Sequence, residues 1–158
     1  MRAIPKPKGY SQQPQRVVDL FVRKLASSGL SAEDGQSLGM TPVNAAEVDP
    51  AFHAIGACLM PYYDIAGLDS GFYRVRYLED MPGFGAQLAK PQRYVQSAGT
   101  LNWAYLPRLE GTNWAQIASD ASIPVLITEG EVKAACATAN GVPTIGLGVV
   151  TVWQSAKK

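Results

Sequence analysis

Hydrophobic and polar positions change their period along the chain, and the change separates different kinds of structure. After Pro14, apolar residues recur at helical spacing, which predicts an amphipathic helix that ends near residue 29. Ser31 and Asp34 stand where a capping box would start a second, short helix. Residues 42–50 are expected to be connecting structure. The apolar stripe of the first helix comprises Val17, Leu20, Phe21 and Leu25.

From residue 55 the period changes to two, which is typical of β-strands. Residues 55–63 and 71–78 flank a turn-like stretch and predict a β-hairpin. In the second of these strands Arg74 and Arg76 share one face, because successive side chains point to opposite sides. Two further short strands are expected at residues 93–97 and 103–106, followed by a helical turn that begins at Trp114.

The stretch from residue 123 to residue 148 is the best organised part of the chain. Its first apolar run, residues 123–127, predicts a strand that is buried on both faces. An alanine-rich helix is expected over 131–139, because Asn140-Gly141 is a favourable C-terminal stop. A second apolar run over 142–147 completes a β-α-β unit with parallel strands.

Chemistry is expected at the carboxyl ends of these two strands, where ligands of such units gather. Glu129 and Gly130 follow the first strand, and Gly146 and Gly148 stand at the end of the second. Gly146 and Gly148 do not make a dinucleotide-binding motif, because no third glycine opens a helix, and they are expected to form a tight strand-to-loop turn.

Together these patterns predict a mixed protein of the α+β / α/β class. It should have N-terminal helices, an antiparallel β-rich segment and a C-terminal β-α-β unit. The expected divisions are a mobile basic tail at 1–13, a helical segment at 14–50, a β-rich segment at 51–120 and the β-α-β unit at 121–158.

Composition narrows the classes of function only modestly. The 158 residues are 47% hydrophobic and 17% charged, as in a globular protein. The net charge of +1 gives no global basic field, although a local basic face would survive it. No apolar run suggests a membrane span or a signal peptide, so the expected location is the cytoplasm. Cys58 and Cys136 are expected to be buried free thiols, and a single histidine, His53, argues against structural zinc.

The segments ITEGEVKA (127–134) and NGVPTIGLG (140–148) resemble the first half of a Toprim domain. The resemblance is closest to phage- and plasmid-type DNA primases, in which this region is a domain of unknown function found in replication proteins (DUF3854-like). Upstream segments fit the same proteins in order: SGLSAEDGQSLGM, MPYYD, YRVRYLE, KPQRYVQSAG and WAYLPRL.

Two departures from that family bear on activity. Val149 stands where the family has a further glycine, and no Asp or Glu follows Glu131. The Asp-x-Asp pair that completes a Toprim metal site is therefore absent from this chain. We expect the N-terminal half of a longer protein, a natural truncation or the product of a split gene.

The resemblance implies that Glu129 is a catalytic acid or base, or one ligand of an incomplete Mg²⁺ site. Mg²⁺ would bind only if the missing carboxylates came from elsewhere, because one glutamate holds it poorly. Judged without the family, Glu129 is better explained as a carboxylate that caps the following helix and stabilises its dipole. Gly130 and the helix N-terminus favour an anion, and Lys133 could reach a phosphate. Lys133 and Glu131 are otherwise expected to be solvated surface residues.

Arg74, Arg76 and Arg93 form a possible surface for single-stranded nucleic acid. Tyr94, Trp103 and Tyr105 lie near them in sequence, and bases stack on aromatic rings while arginines bind phosphates. The alternative is an ordinary half-buried sheet with a polar outer face.

Three functional hypotheses follow. The first is a replication protein fragment that resembles a primase, has nucleotidyltransferase ancestry, binds single-stranded DNA and does not catalyse primer synthesis alone. Its partners would be a replication helicase or the remainder of a split primase, and no membrane. The second is a non-catalytic interaction module or inhibitor that acts on a replication protein. The third is a small nucleotide-binding protein that uses the loops after Gly130 and Gly148.

Overall fold

A computed structural model of the protein describes residues 13–80 and 92–148. The predicted basic tail lies outside these ranges except for Gln13, and so do the last ten residues of the predicted β-α-β segment. The described helices are α1 Gln15–Ala26, α2 Ala32–Ser37, α3 Ala45–Val48, α4 Trp114–Ser119 and α5 Glu131–Ala139. The described strands are β1 Thr41–Asn44, β2 Gly56–Tyr63, β3 Asp69–Tyr77, β4 Tyr94–Val95, β5 Ala104–Tyr105, β6 Leu126–Glu129 and β7 Thr144–Leu147.

The strands form two sheets. The first sheet is antiparallel throughout, in the order β1-β2-β3-β4. The second sheet has the order β5-β7-β6, in which β6 and β7 are parallel and β5 is antiparallel to β7. The structure confirms the predicted class: N-terminal helices, an antiparallel sheet and a C-terminal β-α-β unit.

Local sequence explains the helix positions. Helix α1 buries Val17, Phe21 and Leu25, which recur every four residues and therefore share one face. Helix α2 begins with the predicted capping box, in which Ser31 and Asp34 satisfy each other's backbone N–H groups. Helix α5 has the predicted bounds and ends before Gly141, whose φ of 83° is favourable in glycine.

One apolar core joins α1 to both sheets. It includes Phe21 and Leu25 of α1, Tyr62 of β2, Tyr105 of β5 and Ala134 of α5. The ring centroid of Tyr62 lies 5.0 Å from that of Tyr105, so an edge-to-face contact bridges the two sheets. This shared core holds the N-terminal end of α5 against the first sheet.

The expectation of connecting structure at residues 42–50 is wrong. Residues Thr41–Asn44 form β1, and Ala45–Val48 form a short helix capped by the Asn44 side chain. Strand β1 lies at the edge of its sheet, where Pro42 can be accommodated without a backbone N–H. Burial of Val43 at the pairing with β2 favours a strand here over a loop.

Two expectations about strand neighbours are also corrected. Strand β5 was expected in the antiparallel segment, but it pairs with β7 and extends the β-α-β unit. Strand β6 was expected to be buried on both faces, yet Leu126 is 55% exposed and Ile127 is 68% exposed. Within the described residues β6 has a neighbour on one side only, which leaves its apolar side chains uncovered.

Candidate functional site

A cleft of about 670 Å³ lies between α1, the β3–β4 side of the first sheet and one side of α5. We call it the basic cleft. Helix α1 contributes Lys24 from its last turn, and β3 contributes Arg76. Arg93 precedes β4, where its carbonyl accepts a hydrogen bond from the Tyr77 N–H at 2.9 Å. The charged residues that line the cleft are Lys24, Arg76, Arg93, Glu129, Glu131 and Lys133.

Most of the residues singled out from the sequence meet at this cleft. Glu129, Gly130, Lys133 and Gly148 come from the β-α-β unit, whereas Arg76 and Arg93 come from the β-rich segment. Arg74 and Gly146 are not among the lining residues. Sequence reasoning missed Lys24, because its position on α1 gives no local sign of a contact with β3 and β4.

The cations in the cleft are close enough to influence one another. Partial burial lowers the pKa of Lys24, and the positive charges of Arg76 and Arg93 lower it further. An anion bound among these side chains would relieve that repulsion. The cleft therefore favours negatively charged ligands.

The start of α5 forms one wall. Gly130 adopts φ 93° and ψ 143°, a conformation available chiefly to glycine, and its N–H donates to the Leu147 carbonyl at 2.8 Å. The first N–H groups of a helix have no intrahelical acceptor and carry partial positive charge. Glu129, the last residue of β6, is exposed, and its carboxylate makes no hydrogen bond or ion pair with the described residues.

Glu131 was expected to be a solvated surface residue, and this expectation is wrong. Its side chain is 0% exposed. One carboxylate oxygen, Oε1, accepts a hydrogen bond from Tyr62 Oη at 2.6 Å and one from Arg74 Nη1, also at 2.6 Å. The burial arises because the first turn of α5 packs on the first sheet, so that Glu131 faces β2 and β3 rather than solvent.

Arg74 serves this contact and is not part of the cleft surface. Burial alone would lower the pKa of Arg74, but Glu131 and the Tyr62 hydroxyl outweigh it, and the net shift is upward. Burial and the Glu131 carboxylate both raise the pKa of Tyr62. Arg74 Nη1 also lies where a Cβ at Gly148 would stand, so glycine at this position makes room for the guanidinium.

Tyr94 organises the arginines on the first sheet. The guanidinium carbon of Arg76 lies 4.8 Å from the Tyr94 ring centroid, and that of Arg74 lies 5.1 Å from it. Arg76 Nη1 also donates a hydrogen bond to the Tyr94 hydroxyl. These contacts restrict Arg76 to one orientation at the cleft.

Gly146 has a packing role. A Cβ there would lie 3.1 Å from Ala134 Cβ, 3.2 Å from the Gly130 carbonyl oxygen and 3.2 Å from Tyr105 Cβ. Glycine thus lets β7 pass closely between α5 and β5. Its φ is not positive, and it lies inside β7 rather than in a turn.

The described side chains do not fit a magnesium site. Within residues 13–80 and 92–148 no three His, Cys, Asp or Glu residues are grouped so that they could hold a metal ion. Glu131 is already bound by Arg74 and Tyr62, which leaves Glu129 as the exposed carboxylate at the cleft. Mg²⁺ requires several oxygen ligands, and one carboxylate does not provide them.

Both cysteines are free thiols, as predicted, but the expectation that both are buried is wrong for Cys136. Cys58 is buried in β2, and burial raises its pKa to about 12. Cys136 is only partly buried and lies at the wall of the basic cleft.

Comparison with known families gives a match over the C-terminal part of the chain. Residues 113–158 match a family described as Domain of unknown function (DUF3854), which confirms that part of the predicted resemblance. The match includes α4, β6, α5 and β7 and therefore the α5 wall of the cleft. No curated protein and no solved structure matches the chain. None of the described helices is long and apolar enough to cross a membrane. Over its C-terminal part, the chain is thus similar to the DUF3854 domain.

Proposed function

We propose that this protein binds single-stranded nucleic acid in the basic cleft, as a primase-related replication protein that does not synthesise primers alone. The observation that carries the proposal is the convergence of cations from three separate elements on one cleft. Lys24 of α1, Arg76 of β3 and Lys133 of α5 are far apart in sequence.

The charges of the cleft suit a phosphodiester backbone. Four cations, from Lys24, Arg76, Arg93 and Lys133, line it together with two carboxylates, Glu129 and Glu131. The Glu131 charge is neutralised by Arg74, which does not line the cleft. The remaining excess of positive charge, together with the N-terminus of α5, favours phosphate groups.

The replication context rests on the resemblance of the ITEGEVKA and NGVPTIGLG segments to phage- and plasmid-type primases. These segments form β6, α5 and β7, and the same region matches the DUF3854 family. A replication helicase, or a chain that supplies the missing acidic residues, would be the protein partner. Glu129 alone would hold Mg²⁺ poorly, so primer synthesis would need acidic residues from another chain.

The test is fluorescence anisotropy of a labelled oligo-dT strand, titrated with protein at several salt concentrations. Binding should weaken with salt, because counterions are released when cations contact phosphates. Lys24→Ala and Lys133→Ala should each reduce affinity and lower the slope of log K against log salt by about 0.7. Arg23→Ala is the matched control for Lys24→Ala, since Arg23 lies on the same helix but does not line the cleft.

Two results would overturn the proposal. The first concerns binding. Either the protein does not bind oligo-dT at low salt, or Arg23→Ala weakens binding as much as Lys24→Ala does. The second is Mg²⁺-dependent primer synthesis by the isolated chain, which would disprove the proposal that this protein does not synthesise primers alone.

A second candidate function is a protein-interaction module or inhibitor of a replication protein. The observation that favours it is the edge of β6, where Leu126 and Ile127 are exposed and no described strand pairs on the outer side. Such an edge can accept a strand from a partner. Capture of a replication protein by the wild-type chain, lost in Ile127→Lys and accompanied by no nucleic-acid binding, would favour this candidate.

A further inference from the structure

An exposed tryptophan, Trp103, lies beside the basic cleft but is not one of the residues that line it. Trp103 precedes β5 and is 44% exposed. Its ring stacks on that of Phe72, with 6.3 Å between the centroids and 18° between the planes. Phe72 is buried and packs in turn on Tyr62, so it provides a firm base for the tryptophan.

Strand register places Trp103 near the cleft. In the β5–β7 pair, Ala104 lies opposite Leu147 and Tyr105 lies opposite Gly146. Trp103 and Gly148 are the next residues in the chain beyond the paired Ala104 and Leu147, so their backbones lie close to each other. Gly148 lines the basic cleft, so the tryptophan lies at its margin.

The residues of β3 in the first sheet also place Trp103 near the basic cleft. Phe72, Arg74 and Arg76 alternate along β3 and therefore share a face. Arg76 lines the cleft, whereas Phe72, four residues before Arg76 on the same strand, lies beneath Trp103. Four residues of a strand span about 13 Å. A few nucleotides cover that distance even at the ~3.4 Å spacing of stacked bases.

Other aromatic rings near the cleft are less available for stacking. The Tyr94 ring is in contact with the guanidinium groups of Arg74 and Arg76. Tyr105 is buried in the core between the sheets. Trp114 is also buried, and its indole N–H donates to the Pro107 carbonyl at 2.9 Å.

We infer that Trp103 is a stacking platform for an unpaired base of the strand whose phosphates lie in the basic cleft. The inference rests on the proposed function and adds the group that holds the bases. The neighbouring positive charge favours a nucleic acid over an apolar protein segment as the occupant. Stacking on a tryptophan accepts every base, so this contact should select single strands without selecting a sequence.

The test compares oligo-dT with an abasic oligonucleotide of the same length, because the abasic strand keeps the phosphates and lacks the bases. Trp103→Leu keeps an apolar cover on Phe72 but removes the ring, and Trp103→Phe keeps a ring. We expect Trp103→Leu to weaken binding of oligo-dT about five- to hundredfold, with abasic binding and the salt slope unchanged. Trp103→Phe should retain most of the affinity.

Leu101→Ala is the matched control. Leu101 lies two residues before Trp103 and is 79% exposed, so its substitution removes exposed apolar surface without removing a ring. It should bind both strands as the wild type does. Thermal unfolding by circular dichroism checks that each variant is folded.

The possible failures are distinguishable. If the wild type binds both strands and Trp103→Leu matches it on both, the stacking inference is overturned and the proposed function stands. Equal weakening on both strands also overturns it, because the loss would not depend on bases. If the wild type binds neither strand at low salt, the proposed function fails, and the inference fails with it.

Discussion

The Arg74 guanidinium meets the Glu131 carboxylate across the boundary between the two sheets, with Nη1 2.6 Å from Oε1. Both side chains are almost completely shielded from water, at 10% and 0% exposure. A buried charge is costly unless it is paired, so each residue depends on the other. The pair joins β3 to the first turn of α5 and thus connects two walls of the basic cleft.

Removing one member of this pair should destabilise the protein strongly. We expect Glu131→Ala to lower the free energy of unfolding by about 3–5 kcal/mol, because Arg74 would remain buried without its counter-charge. Glu129→Ala, two residues earlier and exposed, should change it by less than about 0.5 kcal/mol. Urea denaturation monitored by circular dichroism measures both. Equal losses for the two variants would show that the Arg74–Glu131 pair is not a structural link.

Stability should fall at alkaline pH. Burial raises the pKa of Cys58 from the ordinary thiol value of 9.0 to about 12, so the folded state retains a proton that the unfolded chain loses. This contribution is complete below pH 9 and is lost between about pH 9 and pH 12, at up to about 1.4 kcal/mol per pH unit. Burial raises the pKa of Tyr62 and Tyr105 as well, which adds to the loss above pH 10.

Urea denaturation at pH 8 to 11 under reducing conditions tests the alkaline loss. Cys58→Ala should flatten the fall in the free energy of unfolding between pH 9 and pH 11, and Cys136→Ala should not. If the free energy of unfolding falls with pH as steeply in both variants as in the wild type, the Cys58 thiol does not cause the alkaline loss of stability.

The two thiols should differ in reactivity. Iodoacetamide at pH 8 should modify Cys136, which is partly buried at the cleft wall, well before Cys58, which is buried in β2. Oligo-dT should slow modification of Cys136, because the proposed ligand covers that wall. Peptide mass spectrometry over time distinguishes the sites. Unchanged Cys136 labelling under saturating oligo-dT would argue against binding in the cleft.

Gly130 should be needed for both stability and binding. Alanine is strained at φ 93°, and we expect Gly130→Ala to cost about 1–3 kcal/mol and to weaken oligo-dT binding by displacing the start of α5. Gly111→Ala is the matched control, because Gly111 also has a positive φ, 79°, with open space around it, but lies outside the basic cleft. It should lower the unfolding temperature while leaving anisotropy titrations unchanged. Equal effects of the two variants on binding would indicate a general loss of structure.

Local sequence determined those parts of the protein that depend on neighbours in the chain. The bounds of α5, the capping box of α2 and the hairpin of β2 and β3 follow from periodicity and from residues within a few positions. The same local reasoning identified six residues that line the cleft, because strand ends and alternating arginines are visible in a single segment.

The tertiary structure decided what depends on residues distant in sequence. From the sequence alone, a glutamate in the first turn of a helix is expected to face solvent. Glu131 is instead buried by its contact with Arg74, which is 57 residues away in the chain. The pairing of β5 with β7 and the approach of Lys24 to Arg76 likewise join separate segments. Such contacts form because the apolar faces of α1, α5 and both sheets must be buried together. That shared burial, which no local pattern encodes, places the charges of the basic cleft around one space.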